Sequence, residues 1–410
     1  MHDNLYKKYL MRNLSLVFLA LFFLGISCKK SDSVVQDNTI PIAGLLSLTG
    51  NWSSLGLTSQ EAITLAVSDV NAYLQQVGSS IRFSASFYDT KLDTALAQAA
   101  LNDALAKNIH YVVGPQSSAE VAAIKNSADA NKILIVSQGS TASSLAIAGD
   151  AIFRFCPGDS VEGNALAQTI VESDRTHLIT LARDDAGNKG LQQRIGNSFS
   201  AFGGTIEAMT PYATTVTDFT ELLAALKIKL QDQVTAYGAD KVAVYLASFD
   251  ECIDLFKQAL PDPVFSSVRW YGGDGVVLSS ALIADVDASS FAIATDFMAP
   301  NFGLPLQPHP SLSTIASTIK GKTGIDPDAY AFAAYDAVWV LAKTALSFKS
   351  STPDFVTLKD VFRAEAGSYF GITGPVQLNT AGDRSTGSFD YWGIAREGGV
   401  ANWKFVGKSQ

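Results

Sequence analysis

Residues 109–141 read IHYVV, GPQSS, AEVAAIKNSADAN, KILIV and SQGST in succession, and this stretch decides the fold. A short apolar run leads into a polar turn, a helix follows, and a second apolar run leads into a second polar turn. Each turn therefore stands at the carboxyl end of a strand. In an open α/β sheet ligands bind along that edge, because the next helix presents unpaired backbone N–H groups and the positive end of its dipole. The hydroxyls of Ser117, Ser118, Ser140 and Thr141 can donate hydrogen bonds, and Gly139 lets a ligand approach the main chain. Ser and Thr are also ordinary helix caps, so any one of them has a plain structural reading. Two hydroxyl-rich turns at one edge, neither carrying a cation, favour a site for a small carboxylate.

The same alternation extends outward. A strand at 40–46 precedes a long loop, SLTGNWSSLGLTS, and a helix from near Gln60 on which Ala62, Ile63, Ala66, Val70 and Leu74 share one face. Trp52 and Leu55 lie in that loop, facing the sheet edge. Strands at 81–88 and 152–155 complete a first series. A second begins with a helix at 161–173 and runs through strands at 177–182, 205–209, 241–246 and 269–271. Two such series predict two similar lobes, each built on a mainly parallel sheet. After the last of these strands, Asp274 stands among Gly272, Gly273 and Gly275, where a carboxylate can point into a cleft and hold an ammonium. A third section has a Pro-rich loop (MAPNFGLPLQPHP), helices at 312–323, 329–348 and 358–366, and two strands in GITGPVQLNTAGDRSTGSFDYWGIARE, the last read as an antiparallel edge.

At 410 residues the chain exceeds what one core supports. Its net charge of −9 and the lack of a basic cluster with interleaved aromatics exclude a nucleic-acid surface. Lys7, Lys8 and Arg12 precede the apolar run LSLVFLALFFLGI, too short for a comfortable membrane span. It ends in Leu24-Gly25-Ile26-Ser27-Cys28, which resembles a bacterial lipoprotein signal. Residues 1–27 are then a signal peptide, Cys28 the lipidated first residue, and 28–39 a polar tether. Cys156 and Cys252 are read as buried thiols, with a bond between them as the lesser alternative. The four histidines are scattered, so no metal site is expected. No nucleophile elbow, zinc-protease or dinucleotide signature is present, and no cofactor is implied.

Taken in order, IAGLLSLTGNWSSLG, VVGPQSSAEVAAI, IVSQGSTASSL, FRFCPGDSVEG, YGGDG, DPDAYAFAAYDAVWVL and ITGPVQLNTAGDRSTGSFDYW resemble the leucine/isoleucine/valine-binding proteins. These are type I periplasmic binding proteins that serve ABC importers. The resemblance implies an α/β fold of two Rossmann-like lobes joined by three crossover strands, with the ligand between them. Lobe 1 would comprise 40–157 and 297–375, lobe 2 158–296 and 376–410, with crossovers near 155–158, 295–298 and 374–376. It assigns the ligand's carboxylate to Ser118, Gly139 and Thr141, with Ser117 and Ser140 adjacent, and the ammonium to Asp274. Tyr330 matches the aromatic that closes over the ligand. Departures from the family pattern fall at the side-chain pocket: Leu55 replaces an aromatic that Trp52 can supply, Gly187-Asn188 replaces a Tyr-Gly turn, Phe249 beside Ser248 is the one aromatic kept there, and Gln138 replaces a Pro. The implied function is capture of an amino acid or related zwitterion by a lipid-anchored envelope protein for an ABC permease, without catalysis. The alternative is a sensor that signals to a membrane partner.

Overall fold

The computed structural model describes residues 38–348 and 353–409, so the signal peptide, Cys28 and nearly all of the tether lie outside the described residues. The first series is β1 (Thr39–Leu46), α1 (Ser53–Gln76), β2 (Arg82–Asp89), α2 (Thr94–Ala106), β3 (Tyr111–Val113), α3 (Ser118–Asn131), β4 (Leu134–Ser137) and β5 (Ile152–Pro157). The second is α4 (Asp159–Glu172), β6 (His177–Ala182), α5 (Ala186–Ala201), β7 (Thr205–Ala208), α6 (Thr220–Tyr237), β8 (Val242–Ala247), α7 (Cys252–Ala259) and β9 (Arg269–Gly272). It closes with α8 (Ser280–Ala284), α9 (Val286–Ala294) and β10 (Met298–Phe302). The chain then forms α10 (Leu312–Thr323), α11 (Ala329–Phe348), α12 (Phe355–Ser368), β11 (Phe370–Gly371), β12 (Gly374–Pro375), β13 (Asp383–Arg384), β14 (Phe389–Glu397) and β15 (Val400–Lys408).

These strands form two main sheets, ordered β13-β5-β4-β3-β1-β2 and β15-β14-β10-β9-β8-β6-β7. Both reverse direction of growth after their first strand, between β1 and β3 and between β6 and β8. That reversal opens a crevice at the strands' carboxyl ends. The central strands are largely apolar and buried, as strands covered on both faces must be. In the first lobe α1, α10, α11 and α12 cover one face of the sheet, and α2 and α3 cover the other. In the second, α6, α7 and α9 lie opposite α4 and α5. Cys156 and Cys252 are both buried and free. Among the described residues no helix is long and apolar enough to cross a membrane.

Four expectations need correction. The helix α1 starts at Ser53 rather than near Gln60, and Gly56 lets its first turn press on the turn that follows β1: a Cβ there would lie 1.7 Å from the Ser47 carbonyl oxygen. Trp52 is its N-cap, in the left-handed region at φ 58°. MAPNF is the strand β10 and not a loop; its pairing with β9 stops at Met298, so Pro300 interrupts no bond on that side. β15 was not foreseen, since ANWKFVGK is polar enough to read as coil, and an edge strand tolerates such charges. With β15 outside it, β14 is an interior strand rather than the edge.

Sheet membership also moves two crossovers. β10 belongs to the second sheet, so the chain leaves that lobe after Phe302 instead of at 295–298. β13 belongs to the first sheet, so the return falls between Arg384 and Phe389 rather than at 374–376, and β13 lies in lobe 1. Buried ion pairing holds it there. Arg154 donates from Nε to Asp383 Oδ1 at 2.5 Å and from Nη2 to Oδ2 at 2.7 Å, while Arg384 donates to the carbonyls of Thr373 and Pro375 at 2.7 and 2.8 Å. Asp383→Ala would leave Arg154 buried without its carboxylate, and is expected to lower stability by about 3–5 kcal/mol, read as a lower midpoint in urea unfolding.

Candidate functional site

Every turn at the switch points contributes to one place. Ser117, at the end of the β3 turn, caps α3: its Oγ accepts from the Glu120 amide at 3.3 Å and donates to Glu120 Oε2 at 2.5 Å. Ser118 opens that helix and reaches the β4 turn, where its Oγ accepts from the amides of Thr141 and Ala142 at 3.2 and 3.1 Å and from the Ser140 hydroxyl at 3.1 Å. With three donors aimed at it, the Ser118 hydroxyl keeps its own proton free to donate. Gly139 is needed because a Cβ would stand 2.9 Å from the Gln116 carbonyl and 3.3 Å from the Trp52 ring.

From the opposite sheet, Asp274 follows β9. Its Oδ2 accepts from the Tyr330 hydroxyl at 2.8 Å, and its amide donates to Glu162 Oε1 at 3.2 Å. Tyr330 comes from the first turn of α11, so the phenol ties a lobe 1 helix to a lobe 2 turn. The Trp52 amide also crosses, donating to Asp250 at 2.7 Å, and Asn51 donates to Glu251 at 3.0 Å. Trp52 and Phe249 meet across the gap with ring centroids 4.9 Å apart and planes tilted by 32°.

The gap is lined by Trp52, Ser117, Ser118, Gly139 and Thr141 from the first lobe and by Gly187, Asn188, Leu191, Phe249 and Asp274 from the second. Its volume is about 20 Å³, room for about one water molecule. The sequence leads to a gap sized for a zwitterion; Trp52 and Phe249 fill that space, so a molecule of that size fits only when the lobes part or those rings swing. The other expected residues sit behind the lining. Leu55 packs with Trp52, Phe302 and Tyr330 in an apolar cluster. Ser140 props Ser118, and Ser248 is buried beside Cys252. Sequence reasoning missed Leu191 and the acids Asp159, Glu162 and Asp250. Asp159 and Glu162 lie in the first turn of a helix, where acids ordinarily face water, and no local signal marked them as buried.

Burial dominates the electrostatics. Desolvation raises the Asp274 carboxyl to about 7, against the Tyr330 hydrogen bond that lowers it, with Asp159 adding repulsion. Glu162 is pushed well above the usual carboxylate range by desolvation and then by Asp274 and Asp159. Asp159 rises to about 6, again by desolvation, though the Thr141 hydroxyl and Arg154 favour its ionised form. A site with three buried carboxyls and no lysine or arginine in its lining attracts positive charge, while the amides and hydroxyls of the Ser118 and Thr141 turns suit an anion.

This geometry, two α/β lobes of matching strand order with their carboxyl edges facing across a cleft, defines the type I periplasmic binding fold. The chain matches the receptor family ligand binding region over residues 58–397 and belongs to that family. It is 24% identical over 412 aligned residues to an uncharacterized protein of Methanocaldococcus jannaschii, covering 95% of this chain and 94% of that one. Among solved structures, a leucine binding protein LivK of Thermotoga maritima superimposes with a TM-score of 0.72 at 19% identity, over 90% of this chain and 98% of its own. The branched-chain amino acid transporter substrate binding protein LivJ of Streptococcus pneumoniae, in complex with isoleucine, gives 0.69 at 19%, over 90% and 99%.

The raised Asp274 carboxyl makes stability pH-dependent. Between about pH 4 and 7 the folded protein holds a proton that the unfolded chain has released, so this group's contribution declines as pH rises and is gone above about 7. Asp274→Asn, neutral throughout, is expected to be less sensitive to pH than the parent when urea unfolding is compared at pH 5 and pH 8.

Proposed function

We propose that the protein captures an amino acid or a closely related small zwitterion between its lobes and delivers it to an ABC importer, without chemistry on the ligand. One observation carries this reading: Ser118 and Thr141 on one sheet edge and Asp274 on the other line the same gap. A zwitterion has the charges that each side can meet. Its carboxylate would take the Ser118 hydroxyl and the turn amides, and its ammonium would take Asp274 in ionised form. Hinge motion at the crossovers admits the ligand, and closure then removes water and strengthens these contacts. The isoleucine complex of the Streptococcus pneumoniae relative supports the ligand class. The altered Leu55, Gly187, Asn188 and Phe249 neighbourhood argues against carrying over the branched side chain. Anchoring through Cys28 at a bacterial envelope membrane belongs to the same proposal, and an acylated Cys28 as the first residue in the mass spectrum of the mature protein checks it.

Titration calorimetry against the common amino acids tests the central claim. Saturable binding to at least one is expected; a folded protein that binds none of them, nor any small zwitterion recovered by mass spectrometry from the purified protein, would defeat it. Asp274→Ala should weaken binding by about 3–5 kcal/mol, a hundredfold to several thousandfold. Because the bound ammonium needs the ionised carboxyl, affinity should fall as pH drops below about 7, by at most about tenfold per unit, with proton release on binding.

A further inference from the structure

A second cavity, of about 520 Å³, opens beside the hinge. Cavities of that size hold whole small molecules. One wall is lobe 1: Leu312 and Ala316 on α10, then Ile325, Asp328 and Phe332 at the start of α11. The other is lobe 2: Asn301 on β10, Trp392 on β14, Trp403 on β15, with Leu278 and Ile283 around α8. Phe302 and Ala329 separate it from the gap described above, since both also pack in the cluster around Trp52 and Tyr330.

Its chemistry is unlike that of the first gap. The walls are mainly aliphatic and aromatic, and no lysine, arginine or histidine is among the lining residues. Of its carboxylates, Asp390 pairs with Lys408 and Asp326 with Lys320, whereas Asp328 has no cationic partner among the described residues. Asp328 Oδ1 accepts from the Ala331 amide at 2.9 Å and Oδ2 from the Asn301 amide at 3.4 Å, near the limit of a useful hydrogen bond, with the Tyr330 backbone amide also turned toward the carboxyl; all of these partners are neutral. Burial raises this carboxyl to about 6, which leaves it mostly ionised at neutral pH and short of a counter-charge. The Trp403 indole N–H is already spent on the Ser279 carbonyl at 3.0 Å. A ring so engaged offers a partner its π face, and indole faces attract cations.

We propose that this cavity is a second ligand site, for a small organic monocation with an aromatic or branched apolar body. The ammonium meets Asp328 Oδ2, and the body lies between Trp392 and Trp403 on one wall and Leu312 and Phe332 on the other. Since the two walls belong to different lobes, an occupant favours the arrangement in which they face each other. It therefore acts as an effector of closure, and by linkage it tightens whatever the first gap binds.

Phenethylamine is a suitable probe and 3-phenylpropionate, with a similar body and the opposite charge, its control. In calorimetric titrations of the full chain the amine is expected to saturate at millimolar concentration or below, and the acid to show no binding. Asp328→Asn keeps a good helix cap and is expected to weaken the amine at least tenfold; Trp403→Leu, on the opposite wall, should weaken it without touching the helix. No saturation by the amine with folded protein overturns the proposal. So does equal binding by Asp328→Asn, or equal binding by Trp403→Leu, either of which would put the amine somewhere other than between these two walls. These outcomes do not depend on whether the first gap takes an amino acid.

Discussion

A carboxyl group shut away from water is costly unless something meets its charge. The cleft shuts away three, Asp159, Glu162 and Asp274, within one neighbourhood. Much follows from how they are handled. Asp274 takes the Tyr330 hydroxyl, which is the bond that joins α11 of one lobe to the β9 turn of the other. Glu162 takes the Asp274 amide and is left with one oxygen unpaired. The folded chain thus keeps a negative or protonated cluster beneath a surface of hydroxyls, an arrangement that core packing alone would not favour and that a cationic group can relieve.

That cluster depends in turn on strand order. Two sheets that both reverse after their first strand place their carboxyl edges opposite each other, and three crossings of the chain keep those edges in register. The last crossing is fixed by the buried Arg154 and Asp383 pair, because β13 has only two residues and little ladder of its own. Around this frame polar contacts join the lobes, Trp52 to Asp250, Asn51 to Glu251 and Ser54 to Ser280, beside an apolar cluster to which both lobes contribute, with Trp52 and Leu55 on one side and Phe249 and Phe302 on the other.

Much of this was legible from residues alone. The alternation of short apolar runs with helices gave two lobes of parallel sheet, and GPQSS, SQGST and GGDG stood out as turns at strand ends. Their convergence on one gap could be anticipated because such turns always lie on the same side of a parallel sheet. Leu191 was invisible, since a leucine on an amphipathic helix reads as core whichever way it faces. Asp159 and Glu162 were passed over for a similar reason: first-turn acids are usually solvated. The strand β10 hid behind a proline and an asparagine, and β15 behind its lysines, because a shortened ladder in the one and edge position in the other allow residues that a fully paired central strand forbids.

The sequence by itself determined the fold class, the number of lobes and which turns sit at the carboxyl edge of the sheets, because periodicity and turn chemistry are local properties of the chain. Only the tertiary structure decided where the chain crosses between lobes, which acids lose their water, and that Trp52 and Phe249 close the gap to about 20 Å³. Those outcomes depend on partners more than a hundred residues apart, such as Trp52 with Asp250 or Asp274 with Glu162, whose meeting no window of sequence records.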